Sequence, residues 1–89
     1  MNSADAVCSE HAERGVKITV KPLPEDSTYV LIEGDQAAFR FLAQLFLAHA
    51  NGADCGCQIS PRCGGSALFS DEALLGLYLH RLPCVEPKP

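Results

Sequence analysis

No cluster of Lys or Arg occurs anywhere in the 89 residues, and the formal net charge is −4. Nucleic-acid binding needs a basic stripe to meet the phosphates, so that class is set aside. The longest apolar stretch, Ala37 to Ala50, is shorter than the ~20 residues of a membrane-spanning helix and contains Arg40 and Gln44. The opening MNSADAVCSEHAERG has neither a cationic start nor an apolar run, so no secretory leader is read and the expected compartment is the cytoplasm. Repeats, linkers and low-complexity tracts are missing as well. No serine or cysteine stands in a nucleophile motif with a histidine and a carboxylate, and Gly64-Gly65-Ser66 lacks the Lys-Ser/Thr of a phosphate loop. Glu33, Asp35 and Asp71-Glu72 are the acidic candidates, but they read as a cap and solvated charges. An enzyme is not expected.

What remains is a globular composition, 47% hydrophobic and 20% charged, in a chain long enough for one core. So small a domain buries its apolar surface only marginally, and a dimer partner or a metal would help. Residues 1–14 are polar and unpatterned and are read as a flexible segment, 15–84 as a single α+β domain, and 85–89 as a flexible tail. Val16, Ile18 and Val20 alternate with Lys17, Thr19 and Lys21, the period of a half-buried strand. Thr28 to Glu33 is a second strand, and the Pro22–Ser27 loop between them makes an antiparallel hairpin.

Asp35 is placed to N-cap a helix that ends at Asn51-Gly52. Gln36, Arg40, Gln44 and Asn51 form its polar stripe, and nearly everything else on the wheel is apolar. One arc carries Phe39, Leu42, Ala43 and Phe46; the adjoining arc carries Ala38, Phe41, Leu45 and Ala48. A single sheet face covers about half a helix, so the second arc calls for another cover. A homodimer is expected, with Phe41, Leu45 and Ala48 at the contact. His49 reads as a partly buried packing residue near the helix C-terminus, His11 and His80 as surface groups. Ala67–Ser70 and Leu74–Leu82 close the domain. The last run admits a helix, with Leu74, Leu77, Tyr78 and Arg81 on one face, or a strand, with Leu75, Leu77 and Leu79 alternating and Pro83 ending it. The strand is favoured. The expected order is β-β-α-β-β, one small antiparallel sheet under one main helix.

DCGCQISPRCGG, residues 54–65, holds three of the five cysteines. Cys55, Cys57 and Cys63, completed by Cys8 beside His11, can be written as a zinc set, since zinc takes four thiolate or imidazole ligands. Yet Cys-x-x-Cys is lacking, and Cys55 and Cys57 on a strand stand too far apart for one ion. The expected state is a loop entering the third strand, with reduced thiols and no obligatory metal or other cofactor.

Strand-Gly-Asp-helix, as Val30-Leu-Ile-Glu-Gly-Asp35 followed by Phe39 to Ala48, resembles the polymorphic-toxin immunity proteins of family thirty-two. The resemblance spans about residues 28–82, and Cys55-Gly-Cys57 stands where that family has a His-containing stretch. It implies a cytoplasmic protein that binds and blocks a toxin without a cofactor. The leading expectation is thus a non-enzymatic protein-binding module of immunity type. The alternatives are a small zinc protein using Cys55, Cys57 and Cys63, and an accessory subunit of a larger enzyme.

Overall fold

The computed structural model describes residues 3–84; the expected flexible tail lies outside them. The element order is α1 (Ala4–Glu13), β1 (Thr19–Pro22), β2 (Val30–Glu33), α2 (Gln36–Asn51), β3 (Gly56–Ile59), a short 3-10 turn (Ser66–Leu68) and β4 (Leu77–His80). The class is α+β, as expected, but the order is α-β-β-α-β-β.

The first correction is α1, which forms where a flexible segment was expected. Ser3 caps it, its hydroxyl accepting the Ala6 N–H at 3.1 Å. Gly15, at φ 77°, ends it: Gly15 N–H donates to the Ala12 carbonyl and Val16 N–H to that of His11. That pair of bonds is a Schellman ending, which needs the left-handed residue that glycine supplies. Val7 and His11 are buried, and His11 overturns its reading as a surface group.

The helix α2 forms as expected, with the Asp35 carboxylate accepting the Ala38 N–H at 2.8 Å; such a cap contributes about 1 kcal/mol. The buried arc, however, is the one assigned to a second copy. Phe41 and Leu45 are 0% exposed and Ala48 6%, within a single chain. The cover that the sequence argument sought in a partner is α1, whose His11 ring lies 5.2 Å from that of Phe41. Of the arc meant for a sheet, only Leu42 is buried, while Phe39, Ala43 and Phe46 are exposed.

The single sheet becomes two antiparallel ribbons, β1–β2 and β3–β4. The β1–β2 hairpin pairs Thr19 with Glu33 and Pro22 with Val30. Its loop is shaped by Asp26, whose carboxylate accepts the N–H and hydroxyl of Thr28. The other edge of β1 is taken by an irregular segment. Ile18 N–H donates to the Leu68 carbonyl and Ser70 N–H to that of Ile18, both at 2.8 Å; Leu74 and Leu75 N–H both reach the Val20 carbonyl at 2.9 Å. Ala67–Ser70 therefore does not make the third strand. Gly65, at φ 85°, turns the chain into a 3-10 turn, and only Phe69 bridges to Ile18. The third strand is instead Gly56–Ile59, inside the cysteine-rich stretch, paired with β4 from Gly56↔His80 to Ile59↔Leu77. Leu77–His80 is a strand, as favoured; Leu74–Gly76 is not part of it.

The two arcs of α2 separate in a simple measurement. Phe41→Ala should cost ~3–5 kcal/mol in urea unfolding, whereas Phe46→Ala, on the exposed arc, should stay within about ±0.5 kcal/mol. Equal losses would mean that the arcs are wrongly assigned.

Candidate functional site

The β3–β4 ribbon distributes the cysteines. Because Gly56 pairs with His80, Cys55 and Cys84 lie just beyond the same end of the ribbon, with Cα atoms 5.9 Å apart, and they form a disulfide. That separation suits the bond. Here the expectation of reduced thiols is corrected for this pair. The imidazole of His80 joins them: one ligand atom from each of Cys55, His80 and Cys84 lies within 4.8 Å of the others. Cys84 had no part in the zinc set read from the sequence. Its place beside Cys55 depends on the register of β4, which no local spacing shows.

The set Cys55, Cys57, Cys63 and Cys8 is not brought together. Cys57 is a free thiol that neighbours Cys8 of α1, both half-buried. Cys63 stands exposed in a tight loop, held where Ser60 N–H donates to the Gly64 carbonyl at 2.9 Å. His11, offered as the partner of Cys8, spends its Nδ1–H on the Val7 carbonyl at 2.8 Å. The carbonyl can only accept, which fixes the proton on Nδ1. Burial, the Cys57 thiol and Asp5 push the Cys8 thiol from its ordinary 9.0 up to about 11. Burial and then Asp5 push Cys57 up as well. The reactive form of a thiol is the thiolate, so both are poor nucleophiles at neutral pH.

Two open clefts flank Cys57. One, of about 440 Å³, runs between α1 and the Gly64–Leu68 segment and includes Cys8. The other, of about 230 Å³, lies at the C-terminal end of α2, bounded by Asp5, His49, Asp54 and Gln58. His49 is buried, as expected of a packing residue, and its Nε2 has no hydrogen-bond partner among the described residues.

Arg81 fastens this end of the molecule. Its Nη1 donates to the carbonyls of His49 at 2.6 Å and Gly52 at 2.8 Å, and its backbone N–H to Cys55 at 2.7 Å. A cation on the last carbonyls of a helix satisfies unpaired acceptors and complements the dipole. Sequence reasoning missed this role, although an arginine just past a strand was visible.

Arg81→Ala should cost about 1–2 kcal/mol, with Arg81→Lys recovering part of it; equal losses would deny the charge a part. The Cys8 thiol gives a pH signature. Its folded pKa lies above its unfolded one, so its contribution is whole below pH 9.0 and fades as pH rises through about 11. The melting temperature of Cys8→Ala should therefore fall less steeply across that window than that of the parent chain.

No known protein family, curated protein or solved structure matches the chain.

Proposed function

We propose that the chain is a non-enzymatic protein-binding module, an immunity-like inhibitor that docks on its partner through the outer face of α2. One observation carries this reading. Phe39, Phe46 and Leu47 are 50%, 46% and 65% exposed, and Ala43 and Ala50 complete an apolar stripe at helical spacing. Arg40, Gln44 and Gln36 rim it, also exposed. Aromatic anchors inside a polar rim, on a rigid capped helix, are the composition of an interface. The net charge of −4 favours a basic partner and its rapid encounter.

The test is photo-crosslinking from position 47 in the native host, repeated with Phe39→Glu and Phe46→Glu together. One partner protein should be captured by the parent and lost with the folded double variant. Purified inhibitor should then lower that partner's activity at a one-to-one ratio. A capture that survives the double variant sinks the assignment of the face. A partner whose activity rises instead makes the chain an accessory subunit. A second copy as the captured protein, with light scattering giving twice the chain mass, makes this face the homodimer contact in place of Phe41, Leu45 and Ala48.

A further inference from the structure

The end of the β3–β4 ribbon gathers more than a disulfide requires. Cys55 and Cys84 need only each other to form a cross-link, yet His80 brings an imidazole nitrogen within 4.8 Å of both sulfurs. The backbone holds these donors in place. Gly56 is paired with His80 and puts no side chain beside the imidazole. The Arg81 N–H to Cys55 carbonyl bond at 2.7 Å continues the ribbon one step further, tying the residue after His80 to Cys55 itself. His80 is exposed and the two cysteines half-buried, so the group opens to solvent on one side.

We propose that the dithiol form of this group is a zinc site, with Cys55, His80 and Cys84 as three protein ligands and a fourth position left open to water or to a ligand from outside. Two thiolates and one imidazole match the preference of this ion for sulfur and nitrogen. Bonds of about 2.0–2.3 Å in a tetrahedron set ligand atoms a little under ~4 Å apart, which three donors within 4.8 Å of one another reach by small side-chain rotations. Binding displaces one proton from each thiol to solvent, so it strengthens as pH rises. Disulfide and metal exclude each other, because the same two sulfurs serve both. Conversion of the disulfide to the dithiol takes two electrons and two protons, and the two protons leave again when the metal binds. A small-molecule thiol supplies both by exchange: two of its molecules become one disulfide, and each protein sulfur leaves as a thiol.

The experiment uses the full chain reduced with a phosphine, freed of reductant and titrated with zinc alone, then with cobalt(II) as a spectroscopic substitute. One equivalent of zinc should bind, and cobalt should give thiolate charge-transfer and tetrahedral absorption. The unreduced chain should bind none. Cys55→Ser, Cys84→Ser and His80→Ala should each lose the tetrahedral cobalt spectrum, whereas Cys8→Ser, Cys57→Ser and Cys63→Ser should keep it. Because His80→Ala retains the disulfide pair, its fold is checked by circular dichroism before reduction. A reduced parent chain that binds no metal overturns the proposal. So does binding that survives His80→Ala and Cys84→Ser but is lost in Cys8→Ser or Cys57→Ser.

Discussion

His11 lies against Phe41 across the seam between α1 and α2, the ring centroids 5.2 Å apart, and the rest of the core is arranged about that contact. Phe41 on α2 and Val7 on α1 belong to one buried cluster with Ala38, Leu45, Ile18, Val20 and Leu68. A buried imidazole would be costly without a partner, and the Val7 carbonyl four residues back in the same helix provides one. The seam matters more here than it would in a larger protein. Each ribbon has only two strands, and two strands alone are marginal in water. Val20 of β1 and Ile59 of β3 belong to the same buried cluster, so both ribbons depend on the core that the two helices close.

The seam also explains which parts of the fold could be read beforehand. The long helix was legible because Asp35 and Gly52 bracket a strong apolar pattern, and the first hairpin because its strands alternate. The short helix was not, although its stop and start signals were present in Ser3, Asp5 and Gly15. Its buried stripe is made of Ala4, Val7, Cys8, His11 and Ala12. Small residues and a histidine give little contrast with a polar face, so the segment looks unpatterned. Missing α1 had one consequence that spread. With no internal cover visible for Phe41, Leu45 and Ala48, a second chain is expected there, and the truly exposed arc at Phe39 and Phe46 is left to the sheet.

The cysteines show a different limit. Their spacing along the chain suggests one cluster, but their partners differ. Cys55 lies at the end of the ribbon bonded to Cys84, Cys57 is half-buried beside Cys8, and Cys63 is exposed. Only the register of β4 could reveal Cys84 as the companion of Cys55. That register is set by pairings between residues far apart in sequence, Gly56 with His80 among them. Local motif reading has no access to such information.

The Cys55–Cys84 disulfide joins two stretches of chain 29 residues apart. On the chain-entropy account, closing a loop of that length removes about 3–4 kcal/mol worth of freedom from the unfolded ensemble. That is a large fraction of what an 89-residue core can supply by burial alone. The β3–β4 ribbon needs it most, since Tyr78 is well exposed and Leu77 and Leu79 are only partly buried against the core. Arg81 secures the ribbon to the end of α2 through the carbonyls of His49 and Gly52. A cross-link one residue from Gly56 then fixes the free end. A disulfide does this where the surroundings oxidise, and a shared metal would do it where they reduce. The ribbon is held either way, so the conversion would change the chemistry at its tip while the α2 face keeps its shape.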